Sequence, residues 1–332
     1  MLHEFKDIID IEYLPARLRD LKWHITGFVD GDGSFPIILS PVPEKRYGWL
    51  IQPRFEVELR NNNDSLVMLK VMARSMSFSP RIFQGDEYFK LILTNRRTLI
   101  EKIIPFFEAY KPYLKSEDVA LLKYTVESLE TKKHLEYKGF KEIIVKVFSM
   151  PSDNEGRRKW SFSDIIKDEP TPQQKTITIP TLPEGADRRH YLAGFIDAEG
   201  ALGYAVMPKT KTITPYLTIT NSNTAVLQKL QQTIMCGNIN TGRLQIYGMD
   251  NMKNKVVPFL DKYRLIAKRT TYRKFKEILN LTEDGRHKTD FDRIVTMIHS
   301  LNDRGILRDH TLSTYPKNWE GEDMVQHRKD VA

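Results

Sequence analysis

Apolar positions along the 332-residue chain change their period in the same order twice. An apolar run of helical character ending near Asp32 opens the first half, and another ending near Glu199 opens the second. After the first run, alternating and β-branched stretches predict strands at Ser34–Ser40, Trp49–Arg60, Arg81–Phe83 and Tyr88–Thr94. Pro41-Val42-Pro43 and Gln84-Gly85-Asp86 supply the turns. Helical spacing places Ser65–Arg74 between the second and third strands, followed by Arg97–Tyr110, Ser116–Leu129 and Lys141–Met150. The second half repeats this with strands at Ala201–Met207, Thr212–Thr220, Asn238–Asn240 and Leu244–Tyr247. Its helices are expected at Thr224–Ile234, Lys253–Tyr263, Thr270–Leu279 and Phe291–Leu301. Each half therefore reads α-β-β-α-β-β-α with a closing helix. The class is α+β: two similar subdomains, each a four-stranded antiparallel sheet with helices on one face.

A matching distance supports the duplication. Lys115 precedes His134 by nineteen residues, and Lys268 precedes His287 by the same nineteen. Each lysine follows a Pro-Phe helix end, Ile104-Pro105-Phe106-Phe107 or Val257-Pro258-Phe259-Leu260. Between the halves, Pro151–Asp187 holds five prolines and little periodicity. The expected organisation is a first subdomain over 1–150, a linker over 151–187, a second subdomain over 188–301 and a polar tail over 302–332.

Charge adds a partner class. The net charge is +8 with a pI near 9.2, which fits a polyanionic partner. No apolar run approaches the ~18 residues of a membrane span. Cys236 is the single cysteine, which excludes an intrachain disulfide and a thiolate-rich zinc site and suits a reducing compartment. The opening Met1-Leu2-His3-Glu4-Phe5-Lys6-Asp7 is neither a secretory signal nor an acid-poor transit peptide.

The candidate chemistry lies at the ends of the two apolar helices. Ile25-Thr26-Gly27-Phe28-Val29-Asp30-Gly31-Asp32-Gly33 returns as Leu192-Ala193-Gly194-Phe195-Ile196-Asp197-Ala198-Glu199-Gly200. Small residues recur four apart, Gly27/Gly31 and Gly194/Ala198, so two such helices can approach closely. Packed together, they bring Asp32 and Glu199 side by side, and a divalent cation is the usual counter-charge for two such acids. The run from Asp30 to Ser34 imitates a calcium loop, but Pro41 stands where that loop needs its glutamate.

These motifs resemble those of the LAGLIDADG homing endonucleases in their single-chain, two-motif form. The wider layout, over roughly residues 20–301, is most similar to the fungal mitochondrial, I-OnuI-like group. The resemblance implies two saddle-shaped sheets side by side. It assigns metal ligation to Asp32, Glu199 and the carbonyls of Gly31 and Ala198. The ion would be Mg²⁺, two or three per molecule, with Mn²⁺ or Ca²⁺ able to substitute in binding. Asp30 and Asp197 are expected to cap or bridge helix ends. A basic residue near the scissile phosphate falls on Lys115 and Lys268. A polar residue ending the second strand falls on Asn221 in the second half, whereas Leu59 stands there in the first. The implied activity is cleavage of both strands of one long, nearly asymmetric double-stranded DNA site by a monomer with pseudo-twofold symmetry, leaving short 3′ overhangs. A mobile-intron gene is implied as well. The place of action would then be the mitochondrial matrix for a fungal organelle gene, otherwise the cytoplasm or nucleoid, and not outside the cell.

Strand alternation selects the residues that would face DNA. Phe55 and Val57 pack inward, leaving Arg54, Glu56 and Glu58 outward, with Ser34, Ile38, Ser40, Arg81, Lys90, Ile92 and Thr94. Second-half candidates are Lys209, Lys211, Tyr216, Thr218, Thr220, Asn238, Asn240, Arg243, Gln245 and Tyr247. The two glutamates suit cytosine amino groups. A second function class is an RNA-binding intron maturase without nuclease activity, its partner the cognate intron RNA. A third, a transcription regulator on the same fold, would be expected to have lost an acid. Retention of both acids favours cleavage, because a pure binder gains nothing from paired carboxylates beside phosphates.

Overall fold

The computed structural model describes residues 2–151, 159–167, 169–176, 180–283 and 289–301. The polar tail and His287 lie outside the described residues. The first motif helix, α1 (Leu18–Asp32), leads through Gly33 into β1 (Gly33–Ser34), β2 (Ile37–Pro41), β3 (Trp49–Pro53) and β4 (Phe55–Arg60). Next come α2 (Asn63–Ser75), β5 (Ile82–Gln84), β6 (Tyr88–Leu93) and the helical run α3 (Arg96–Thr98) and α4 (Ile104–Ala109). The half closes with α5 (Ser116–Glu130) and α6 (Tyr137–Ser149), and α7 (Phe162–Ile165) follows. The second motif helix is α8 (Gly185–Glu199), leading into β7 (Gly200–Met207), β8 (Thr212–Thr220), α9 (Thr224–Ile234), β9 (Asn238–Asn240) and β10 (Arg243–Tyr247). The chain then runs through α10 (Met249–Asn251), α11 (Val257–Tyr263), α12 (Arg269–Glu283) and α13 (Phe291–His299).

Both main sheets are antiparallel and share one topology, β1-β4-β6-β5 and β7-β8-β10-β9. Their inner faces are built by the same alternation. Phe55, Val57 and Leu59 on β4 are buried, as are Ile213, Leu217 and Ile219 on β8. Polar residues occupy the intervening positions, which fixes each register, since a one-residue slip would turn the apolar set to solvent.

The first two strands depart from expectation. Ser34–Ser40 and Trp49–Arg60 each break in two, because Pro36 offers no N–H and the chain turns at Pro53-Arg54. The outer parts, β2 and β3, form a separate two-stranded ribbon, tied at its base by the Arg54 N–H donating to the Pro36 carbonyl at 2.9 Å. Segment 151–187, expected as a linker, contributes to a core. Phe162, Ile165 and Ile166 are buried with Ile51 of the ribbon and Phe140, Ile143, Ile144 and Val147 of α6. Trp49 and Trp160 meet edge-to-face at 5.4 Å between centroids. The second motif helix begins at Gly185, three residues before the expected boundary.

Helical runs 96–109 and 249–263 share a second irregularity. Each contains a π-helical stretch, Leu99–Ile103 and Met252–Val256, just before a proline, Pro105 or Pro258. Proline removes one helical N–H, and a widened turn accommodates it. Both runs deliver the chain to a short connection ending in a lysine, Lys115 or Lys268.

The two halves interlock at these connections. Tyr113 belongs to the core of the C-terminal half, and Ile266 is fully buried in the core of the N-terminal half.

Candidate active site and nucleic-acid interface

Small residues set the spacing of α1 and α8. A Cβ on Gly27 would lie 1.8 Å from the Tyr191 carbonyl oxygen, and one on Gly194 would lie 1.8 Å from that of His24. One turn on, a Cβ on Gly31 would lie 2.4 Å from that of Ala198. Backbone contact this close is open only to glycine, and it brings the acidic ends of both helices together.

Asp30 and Asp197 are buried struts. The Asp30 carboxylate accepts the N–H groups of Tyr113 (2.5 Å), Leu114 (2.9 Å) and Lys115 (2.9 Å). Asp197 accepts those of Ile266 (2.7 Å), Ala267 (2.9 Å) and Lys268 (2.9 Å). Each also takes a bond from the other motif helix. The Tyr191 hydroxyl donates to Asp30 at 2.5 Å, and His24 Nε2 lies 3.1 Å from Asp197. A carboxylate has only acceptors, so the His24 proton belongs on Nε2 in this contact. His24 and Tyr191 occupy the same motif position, three residues before the glycine, and their cross-bonds were not expected from the sequence. That shared offset was the available signal.

The struts place both lysines. Lys115 Nζ donates to the carbonyls of Val29 (3.0 Å) and Gly31 (2.8 Å), and Lys268 Nζ to those of Ile196 (3.5 Å) and Ala198. Burial lowers both ammonium pKa values, and nearby carboxylates oppose that shift. Asp32 is exposed but lies on the floor of a cleft also lined by Glu58, Leu59, Ala198 and Lys268. Restricted hydration raises its pKa; Lys268 and then Lys115 pull it back. Glu199 is raised by burial and by the charge of Asp32, and is lowered by Lys115, Lys268 and a hydrogen bond from Asn221.

These neighbours define two crossed groups. Asp32 shares its cleft with Ala198 and Lys268, whereas Gly31 lies against Glu199, whose strongest cationic neighbour is Lys115. Each group therefore combines an acid from one repeat with a carbonyl and a lysine from the other. Carboxylate and carbonyl oxygens suit a hard divalent cation. Among the described residues no group of three or more His, Cys, Asp or Glu side chains is placed to hold a metal ion, so water and phosphate oxygens would complete any shell.

Register identifies the counterpart of Asn221. Gly33 pairs with Val57 and Gly200 with Ile219, so Leu59 matches Asn221. Leu59 is buried, whereas Asn221 serves Glu199 and accepts the Asn223 N–H at 2.9 Å.

The candidate DNA-facing residues divide by half. Ser34 pairs with Glu56, which faces Ile92, and Glu58 faces Lys90. Ile38 and Ser40 sit instead on the ribbon, pairing with Gln52 and Leu50. Arg81 precedes β5 and stacks on Phe83, and Thr94 follows β6. Lys209 and Lys211 occupy the turn between β7 and β8. Tyr216, Thr218 and Thr220 pair with Tyr247, Gln245 and Arg243, and Asn238 and Asn240 extend the last two rows from β9. Arg60, Phe83 and Tyr88 share the outward face by parity and were not singled out from the sequence.

A duplicated helix ending in an acid, a β-β-α-β-β layer after it and interlocked lysine connections define a two-repeat LAGLIDADG architecture. The LAGLIDADG endonuclease family model matches residues 25–144 and 192–279, and the chain belongs to that family. It is similar to a probable intron-encoded endonuclease 2 of Neurospora crassa, 26% identical over 294 residues, covering 83% of this chain and 64% of that protein. A second Neurospora crassa relative, probable intron-encoded endonuclease 3, is 25% identical over 76% of this chain and 48% of its own length. The chain thus spans about half to two-thirds of these relatives. Among solved structures, the I-LtrWI LAGLIDADG homing endonuclease bound to target DNA aligns with a TM-score of 0.73 at 21% identity, over 86% of this chain and 99% of that one. The meganuclease I-CpaMI bound to uncleaved DNA aligns at 0.71 and 22%, over 85% and 99%.

Proposed function

We propose that the chain is a site-specific DNA endonuclease that cuts both strands of a long, nearly asymmetric duplex as a monomer and leaves short 3′ overhangs. The observation that carries this reading is the convergence of Asp32 and Glu199 with two half-buried lysines and the two helix-end carbonyls, of Gly31 and Ala198, to which those lysines donate. A bound Mg²⁺ would supply an activated water and a counter-charge at phosphorus and the leaving oxygen. Asp32, Glu199 and the carbonyls of Gly31 and Ala198 would hold it. Lys115 and Lys268 would shift from those carbonyls toward the phosphate, where an ammonium stabilises developing negative charge. Asn221 would orient Glu199. The outward faces of both sheets would lie in the major groove. The structural neighbours solved with DNA support this partner. An intron-encoded origin and the matrix of a fungal mitochondrion complete the proposal.

The test is incubation with Mg²⁺ and a plasmid library, scored by linearisation. Discrete linear products that vanish with EDTA support the reading. Tight binding of intron RNA without cleavage of any duplex would replace it with the maturase.

A further inference from the structure

The outward faces of the two sheets differ in chemistry at matched positions. The register that pairs Leu59 with Asn221 also matches Arg54 with Tyr216, Glu56 with Thr218 and Glu58 with Thr220. On the N-terminal face these residues form an ion network. Arg54 lies 3.1 Å from Glu56, and Lys90 lies 3.0 Å from Glu58 and 3.6 Å from Glu56. The Glu56 carboxylate is only 14% exposed, so the network holds it in place. The C-terminal face carries no carboxylate among its described positions. Thr218 shares a row with Gln245 and Asn238, and Tyr216 shares one with Tyr247. A Cβ on Gly203 would come within 2.5 Å of the Tyr216 ring, so glycine leaves room for that ring to lie across the sheet.

Base edges in the major groove discriminate between these surfaces. Guanine offers two acceptors, which suit Arg or Lys, and cytosine offers an amino donor, which suits a carboxylate. Adenine suits Asn and Gln, and the thymine methyl packs on Thr methyls and rings. A thymine methyl set against Glu56 or Lys90 would remove water from a charge and return no partner. We infer that the two halves of the target differ in composition: the N-terminal sheet reads a G·C-rich half-site and the C-terminal sheet an A·T-rich one. Arg54, Lys90, Glu56 and Glu58 carry the first preference. Asn238, Gln245, Thr218 and the two tyrosines carry the second, with one guanine opposite Arg243. This inference rests on the reading of the chain as a site-specific DNA endonuclease and names its substrate more closely.

The experiment is a binding selection by the full chain from a duplex library randomised across the site, with Ca²⁺ as the metal. The expected result is an enriched sequence with one G·C-rich and one A·T-rich half. Glu56→Gln should shift one position of the G·C-rich half from cytosine toward adenine and weaken binding to the original duplex about tenfold or more. Gln245→Ala should relax the A·T-rich half alone. Enrichment of a sequence whose halves are alike in composition would overturn the inference and leave the endonuclease reading standing. So would an effect of Glu56→Gln in the A·T-rich half. Absence of any enriched duplex would overturn both.

Discussion

At their centres the two halves are copies, and at their surfaces they are not. Asp30 and Asp197 each bind three successive backbone N–H groups, at 2.5, 2.9 and 2.9 Å in one half and 2.7, 2.9 and 2.9 Å in the other. The lysines they position reach corresponding carbonyls, Lys115 those of Val29 and Gly31 and Lys268 those of Ile196 and Ala198. On the sheet faces, matched positions hold Glu against Thr and Arg against Tyr, and beside the acids Leu59 stands against Asn221. A buried carboxylate must have its donors wherever the backbone brings them, so its geometry tolerates no drift. An outward strand position answers only to what it meets outside. The comparison therefore separates positions that hold the two acids together from positions that, on the proposed reading, would distinguish one half-site from the other.

The largest expected effect falls on the acids. On the proposed reading, Asp32→Asn or Glu199→Gln should abolish double-strand cutting while DNA affinity holds or rises, because each charge would serve a metal and would repel phosphate. Undiminished linearisation by either variant would remove the acids from the site. Next come the glycines, where both halves should respond alike. Gly27→Leu and Gly194→Leu each force a side chain into the facing helix backbone and should lower stability by about 3 kcal/mol or more. Denaturant melts should show similar losses for the two variants, and a large gap between them would break the symmetry of the helix pair.

The crossed groups make a sharper test. Lys268→Met should slow the strand that depends on Asp32, and Lys115→Met the strand that depends on Glu199, each about a hundredfold, a typical effect of losing one charge-stabilising donor. Strand-resolved kinetics with nicking by the single acid variants would assign the pairs. If each lysine instead followed the acid of its own repeat, the crossed arrangement would have no catalytic meaning.

How much of this was legible in the sequence depends on range. The motif helices, the inward apolar positions and the lysine spacing are local or repeated, and could be read directly. The Leu59-for-Asn221 exchange comes from the family resemblance, and the strand register matches the two positions. The ribbon escapes such reading although Pro36 and Pro53 mark its base in the sequence, because its separation from the main sheet rests on the pairing of β2 with β3 and on the packing of Ile51 against α6, which strand periodicity does not show. The ordering of Phe162 and Ile165 depends on α6 and β3, elements distant in sequence, and proline content masked it. In sequence order each lysine follows the acid of its own repeat, and only close packing at Gly31 and Ala198 sets each acid beside the other repeat's carbonyl.

The smallest expected effect concerns a substitution between the halves behind the site. Motif alignment matches Trp23 with His190, and each ring meets a tyrosine edge-on, Tyr110 at 5.3 Å and Tyr263 at 4.9 Å. Trp23 does not titrate. His190 is buried, its pKa is pushed down to about 4, and Asp20 at 3.5 Å only partly opposes that burial. In the unfolded chain an ordinary histidine takes up its proton near pH 6.5. The unfolded state thus binds more protons as pH falls from there toward 4, so stability that is full above pH 6.5 is lost across that window. His190→Phe keeps a ring against Tyr263 and removes the titration. Thermal melts of the two proteins should converge below about pH 4.5 relative to their separation at pH 7.5, with a change on the order of 1–3 kcal/mol. Parallel melting curves throughout would mean that His190 takes up its proton as readily in the folded chain as in the unfolded one and that its burial carries no such cost.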